Sequence, residues 1–527
     1  MAGLGKTKLA RTVYNDESLI KHFQLRIWVT VPAVFDLGEV LKKMISYVKT
    51  NDVKRDYGCY VLKTNDLTMI LREMLNGKKY LLVLDDFWDV ENFYIWENLI
   101  SRLTFGSHGS KILITSRKIN VARSVRWMTD TYHLQELSTD ECWSIIKEKA
   151  FSSPRSRASE NPEMVKIAKD LARKCCGLPL AARILAYILA SKTKESEWDF
   201  FQECFKTRKH SKFHTQIYPT LQLSYDHLPS SALKQCFSHC SVFPMGYEID
   251  REEIIKLWMA EGFLVPSKHK GDELGEIQKC KLNDLVYHLA ATVAGDEDEH
   301  VPRMFQEVGN YKNRLRTFFA TEVGDCDKIE NVFRNRNLRV LYLSGSSIQK
   351  LPASLSKLRH LRYLNLSGCQ NLDVLDDQFV NSLYNLQTLV LHKCTSLSKL
   401  PEGLPVNIGA LKDLRSLNIS HTGITILPTS VTSLQNLRAL DVSNCINFEG
   451  LPGNIGSLKD LRSLDISHTK VSRLSDSISD LERLMTLRLH SCPNLEDLPK
   501  GIEALGWLKG LDITGTKVKV VPDQFLA

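Results

Sequence analysis

From Leu338 to the end of the chain the pattern Leu-x-x-Leu-x-Leu recurs eight times, opening at Leu338, Leu361, Leu386, Leu414, Leu437, Leu461, Leu484 and Leu508, with Ile or Val sometimes in the third place. The steps between openings are 23, 25, 28, 23, 24, 23 and 24 residues. This near-constant period limits the possible folds more than any other feature of the chain. One unit is too short to bury its own leucines, so neighbours must stack into a parallel ladder of short strands and return arms. Eight strands at a ladder spacing of about 4.8 Å predict an inner face about 34 Å long.

Two side-chain columns follow the period. Cys369, Cys394, Cys445 and Cys492 fall just after the strands, with Thr422, Thr469 and Thr516 in the equivalent place of other copies. Small hydrogen-bonding residues there predict a structural role. The residue after the opening leucine is expected to face outward, and is Arg339, Arg362, Arg415, Arg438, Arg462 or Lys509 in six of the eight copies. Asp441, Asp465 and Asp512 are expected outward in the next column. Two readings stay open: a solvated face whose charges offset one another, or a surface for an acidic partner or an acidic part of the same chain. The last repeat ends at Ala527 without the polar cap of a solenoid end, which predicts further chain beyond it.

Composition narrows the remaining options. The 69 basic and 61 acidic residues leave a net charge of +8 over 527 residues. The repeats hold 20 and 17 of them, so neither half is a basic arm and direct nucleic-acid binding is not expected. Thirteen cysteines, an odd number, do not make a disulfide scaffold. The most apolar stretch, Cys175–Ala190, is broken by Pro179 and Arg183 and falls short of the ~20 residues of a membrane span. A cytoplasmic chain with reduced thiols is expected.

The N-terminal 150 residues hold a phosphate-binding constellation. Gly3-Leu4-Gly5-Lys6-Thr7 precedes apolar residues at helical spacing. Glycines let backbone N–H groups wrap a phosphate, Lys6 would reach the β/γ oxygens, and Thr7 would ligate magnesium. The remaining glycine of the full pattern, and the strand that feeds such a loop, would fall ahead of Met1. Tyr80–Leu84 is a continuous apolar run, as in a parallel strand covered on both faces, and ends in Asp85 and Asp86. Carboxylates at that end lie where open α/β sheets bind ligands, Asp85 to hold magnesium and Asp86 to orient water; a cap or turn is the alternative. Lys111–Thr115 reads as another strand, placing Arg117 beside the phosphates.

Gly3–Thr7, Leu25–Val29, Leu81–Trp88, Gly109–Arg117, Cys176–Leu180 and Leu233–Leu264, in this order and followed by the repeats, resemble the plant NB-ARC leucine-rich-repeat disease-resistance receptors. Trp88 after the two aspartates is similar to the branch with an N-terminal coiled coil, a signalling domain absent from this sequence. The resemblance implies a multidomain fold: an α/β P-loop nucleotide-binding domain, helical and winged-helix subdomains, then a leucine-rich-repeat solenoid. It implies ADP/ATP and Mg as cofactors, with Gly3, Gly5, Lys6 and Thr7 as the phosphate loop and Asp85 and Asp86 as magnesium and catalytic carboxylates. Arg117 would sense the γ-phosphate and Pro179 pack on adenine. Leu282-Asn283-Asp284 occupies the family's Met-His-Asp motif, so Asn283 stands where a histidine usually touches the β-phosphate. Asn donates a hydrogen bond but never carries imidazolium charge.

The expected segments are 1–150 for the nucleotide domain, 151–215 for the helical part, 216–300 for the winged helix, 301–337 as a connection and 338–527 for the repeats. Only about twenty residues separate Gly262-Phe263-Leu264 from Asp284, which predicts a winged helix shortened by a helix and its wing strands. Asn51–Thr64 and Ser152–Asn161 read as surface loops. Cys236, His239 and Cys240 lack a second ligand pair at zinc spacing. The expected function is an ADP/ATP-operated immune switch, at most a slow ATPase, that senses a pathogen effector or guarded host protein through its repeats. Repeats folded back on the nucleotide domain would hold it inactive, and exchange to ATP would favour self-oligomerisation. The alternative is a nucleotide-independent repeat scaffold or decoy.

Overall fold

The computed structural model describes residues 3–31, 35–49, 64–87, 93–117, 121, 131–151, 161–192, 194–207, 218–264, 279–294, 315–321, 330–375, 377–402 and 407–522. Trp88 and the two expected surface loops, apart from Thr64 and Asn161, lie outside them. The chain divides into two units. The first takes residues 1–234, 245–248 and 281–289; the second takes 235–244, 249–280 and 290–527.

The first unit is built on a parallel sheet ordered β1 (Leu25–Thr30), β2 (Tyr80–Phe87), β3 (Lys111–Ser116). The central strand is apolar throughout because both of its faces are covered. Leu82 and Leu84 enter a core with Ile27, Val29, Leu41, Met44 and Leu71. Leu81 and Val83 pack on the other side against Ala10 and Tyr14 of the Lys6–Tyr14 helix. That packing sets the start of the helix close to the end of β2. Helices Thr139–Ala150, Pro162–Lys174, Pro179–Ala190 and Glu195–Thr207 follow, with Trp198 fully buried. Two short strands, β4 (Glu248–Asp250) and β5 (Lys279–Lys281), pair as a ribbon. Of this ribbon only β5 lies in the short stretch between Leu264 and Asp284, of which residues 265–278 are outside the described residues.

The second unit carries a parallel sheet of nine strands. These are β6 (Thr317–Thr321), β7 (Val340–Ser344), β8 (Tyr363–Asn365), β9 (Thr388–Val390), β10 (Ser416–Asn418), β11 (Ala439–Asp441), β12 (Ser463–Asp465), β13 (Thr486–Arg488) and β14 (Gly510–Asp512). The expected connection at 301–337 thus contains the first rung. Leu315, Phe318 and Ala320 stand where later copies have three leucines, and all three are buried in the common core. Short 3-10 turns make most of the return arms, which suits units of this length.

The cysteine column is structural, as expected. Cys369, Cys394, Cys445 and Cys492 donate Sγ–H to the carbonyls of Leu343, Leu366, Ile419 and Ile466, each in an earlier repeat, at 3.1–3.3 Å. Thr422, Thr469 and Thr516 bond carbonyls of their own repeat instead. Burial pushes the Cys394 thiol up to about 12 and raises Cys445. Brief iodoacetamide treatment of the native protein is expected to label exposed Cys280 and spare all four ladder thiols until denaturant is added, read by peptide mass spectrometry.

The aspartate column has a further role that its outward placement did not reveal. Asp441, Asp465 and Asp512 each accept, at 3.0 Å, the backbone N–H two residues on, as Asn365 and Asn418 do. These are Asx turns that bend the chain out of the strand. The bend ends in left-handed backbone at Gly345, Gly368, Lys393, His421, Asn444, His468, Ser491 and Gly515. A non-glycine residue there costs about 1–2 kcal/mol, offset in part by the about 0.5–1 kcal/mol that glycine loses in chain entropy. Ser491→Gly is expected to stabilise the repeats by about 0.5–1 kcal/mol, seen as a higher melting temperature.

Candidate functional site

Gly3, Gly5, Lys6, Thr7, Asp85, Asp86, Arg117, Pro179 and Asn283 all line one cavity of about 1090 Å³ in the first unit. Three helix starts open onto it.

The first is that of the Lys6–Tyr14 helix. Gly5 is its N-cap with φ 92°, and no side chain caps it. Positive φ favours glycine here, and a Cβ on Gly5 would meet nothing within 4 Å, so the space above the loop is open. The first N–H groups of a helix have no intrahelical partner, and without a capping side chain they face that space with the positive end of the dipole.

The second start is at Pro179, the first residue of its helix, where a missing N–H costs nothing. Leu180 N–H reaches the Gly3 carbonyl at 3.4 Å, tying this helix to the loop. Gly177 precedes it with φ 71°, and a Cβ there would lie 2.6 Å from the Leu137 carbonyl oxygen. The third start is at Asn283. Its Oδ1 accepts from Leu285 N–H at 3.0 Å, so the side chain caps its own helix, Asp284–Ala294, and its amide NH2 is the group left to donate.

The carboxylates sit at a bulge. Register runs Leu84 to Ile114 and resumes at Phe87 to Ser116, so β2 holds one residue more than β3. Asp86 takes φ 62° there, and its N–H donates to Thr115 Oγ1 at 2.9 Å. Asp85 is 5% exposed, and its Oδ1 accepts from Thr7 at 2.9 Å and Thr115 at 2.6 Å. The turned backbone separates the two acids: Asp85 meets Thr7, whereas Asp86 lies 3.4 Å from Arg117 Nε.

Sequence reasoning missed Thr30, Thr115, Lys149, Arg183, Tyr187 and Lys281, which also line the cavity. No motif marks them; the four-residue spacing of Pro179, Arg183 and Tyr187 along one helix face was the one signal, and only for the last two. The lining holds seven cations (Lys6, Lys8, Arg11, Arg117, Lys149, Arg183 and Lys281) against three acids (Asp85, Asp86 and Glu148). An uncapped helix start, this excess of positive charge and a flat apolar proline fit a nucleoside polyphosphate. The adjacent oxygens of Thr7 and Asp85 fit a hard cation such as magnesium.

Comparison with known proteins agrees. Family models match at residues 1–156 (NB-ARC domain), 242–292 (Disease resistance protein Winged helix domain) and 337–450 (Leucine-rich repeat region). The disease resistance protein RGA2 of Solanum bulbocastanum is 33% identical over 420 residues, covering 75% of this chain and 42% of that protein. The disease resistance protein RPM1 of Arabidopsis thaliana is 28% identical, over 83% of this chain and 44% of its own length. The disease resistance RPP13-like protein 4 of Arabidopsis thaliana is also 28% identical, over 84% and 56%. The chain spans 42% to 56% of the length of these three relatives. Among the described residues no helix is long and apolar enough to cross a membrane.

Proposed function

We propose, on the premise that the chain belongs to the plant NB-ARC leucine-rich-repeat disease-resistance proteins, that it is a nucleotide-operated immune receptor of the cytoplasm. The observation that supports the reading is that all nine residues expected to bind nucleotide line one cationic cavity. The Gly3–Gly5 backbone and the uncapped helix start would cradle the phosphates, with Lys6 along the β/γ oxygens. Thr7 and Asp85 would hold magnesium, which when bound neutralises phosphate charge. Asp86, oriented by its left-handed backbone, would position water, and Arg117 beside it would register a γ-phosphate. Pro179 would pack on the base and the Asn283 amide would donate to the β-phosphate.

Such a site works as a switch when ADP and ATP favour different states, a coupling of typically ~1–3 kcal/mol. Slow hydrolysis would reset it. The repeats would carry the sensing of an effector or a guarded host protein, and the ATP state would favour self-assembly. The test is the nucleotide released on denaturing the purified protein and separated by chromatography. Close to one ADP per chain is expected; a folded protein that releases none overturns the reading.

A further inference from the structure

The arginine column of the repeats divides into two parts with different partners. Its backbone is one continuous ladder: the N–H groups of Arg339, Arg362, Gln387, Arg415, Arg438, Arg462, Met485 and Lys509 each donate to the carbonyl one rung back, at 2.7–2.8 Å, beginning at Arg316. The side chains therefore follow one another at ladder spacing, about 4.8 Å.

The first part is engaged within the second unit. Arg339 Nη1 donates to the Glu261 carbonyl at 2.5 Å and Arg362 Nη1 to the Ala260 carbonyl at 3.3 Å. Those carbonyls belong to the last turn of the Arg251–Glu261 helix, which ends at Gly262 with φ 84° and has no basic residue of its own in that turn. The negative end of the helix is thus neutralised by two guanidinium groups from neighbouring repeats.

Farther along, Arg415, Arg438 and Arg462 stand in the same column at the same register. Among the described residues their side chains make no hydrogen bond or ion pair, and the nearby acids are already engaged. Asp441 and Asp465 close Asx turns and also meet Asn418 and Arg488, and Asp460 pairs with Arg483. Burial, then repulsion from Arg462 and Arg415, work against the charge on Arg438, with Asp460 opposing them in part. Beside the three cations run the small residues Ser416, Ala439 and Ser463, paired rung to rung, which leave room for close approach.

We propose that Arg415, Arg438 and Arg462 form a second docking strip of the same chemistry, taking the C-terminal turn of an acidic helix on a partner protein. Two observations carry this. The strip continues an interface in which the same column already holds a helix C-terminus. Its charge is complementary to carboxylates one helical turn apart, about 5–6 Å, close to the rung spacing. The proposal deepens the sensing role given to the repeats and rests on that reading for its biological meaning. Its geometry does not involve the nucleotide cavity.

The test uses the full chain and a fluorescent, alanine-based helical peptide of about 18 residues whose last turn carries two glutamates and a free carboxylate. Anisotropy is expected to show binding that weakens with salt and falls at least tenfold in the Arg415→Ala, Arg438→Ala, Arg462→Ala triple variant. A peptide ending in lysines and an amide is expected not to bind. The variant should melt no lower than wild type, because the change removes mutual repulsion; its nucleotide content, read on the same sample, separates this result from the switch reading. Should the triple variant misfold, Arg438→Gln alone must still weaken binding about threefold or more. Equal binding to wild type and variant, or no binding up to about 1 mM, overturns the proposal. So does binding of duplex DNA or anionic vesicles in place of the peptide.

Discussion

Lys6→Ala is expected to leave the chain folded and strip it of bound nucleotide. Lys6 is the first residue of its helix, where alanine propagates the helix as well as lysine does, and neither buried core of the first unit includes it. The loss is therefore one of phosphate recognition. A charge-assisted hydrogen bond contributes about 1.5–3 kcal/mol, so removal lowers affinity by about 10- to 150-fold. Six other cations remain around the cavity, so general attraction for anions persists while the specific contact at the loop disappears. Nucleotide released per chain, and the rise in melting temperature on adding ADP with magnesium, should both collapse in the variant. An unchanged ADP content would show that the loop does not hold the phosphates.

The second large effect concerns Glu253 in the Arg251–Glu261 helix. Burial, then the neighbouring Asp250, raise its pKa to about 7, against the opposing help of Tyr342, Lys256 and Tyr363. In an unfolded chain the same carboxyl titrates near 4.5. Between these values the packed form keeps a proton that the unfolded form has lost. Stability is therefore highest below the window, falls as pH rises through it and levels off above, a total of up to about 3 kcal/mol. Glu253→Gln keeps an acceptor for the two tyrosines and removes the charge. The variant is expected to be more stable than wild type at pH 8 by about 1–3 kcal/mol and indistinguishable from it near pH 4.5, in unfolding followed across that range. A wild-type protein whose stability is flat from pH 4.5 to 8 would refute the assignment.

The repeat fold was legible because stacking forces leucine into fixed places. The first rung escaped notice because Phe318 and Ala320 do the same burying without the leucine signature. The residues of the proposed nucleotide site were legible as types at spacings, since phosphate recognition needs glycine, lysine and hydroxyl in sequence. What no spacing shows is the bulge that parts Asp85 from Asp86, or Thr115 bonding to both. The aspartate column carried a readable signal, Asn or Asp followed two residues later by Ser or Thr, which marks a turn rather than a charged surface. The arginines looked alike in sequence because their difference, a helix end seated on two of them, comes from residues about 80 to 100 positions away.

The thiol links of the solenoid bear on how such a gene changes length. Each reaches only to a preceding repeat, so duplicating or deleting a whole unit leaves every remaining link satisfied. Unequal recombination can therefore lengthen or shorten the array with little penalty to folding. The interrupted series of arginines has no such tolerance: one added unit would move every later cation a rung, out of phase with the acidic helix proposed to dock there. Under the docking role proposed for the arginines, copy number in this array would be neutral for architecture and decisive for recognition.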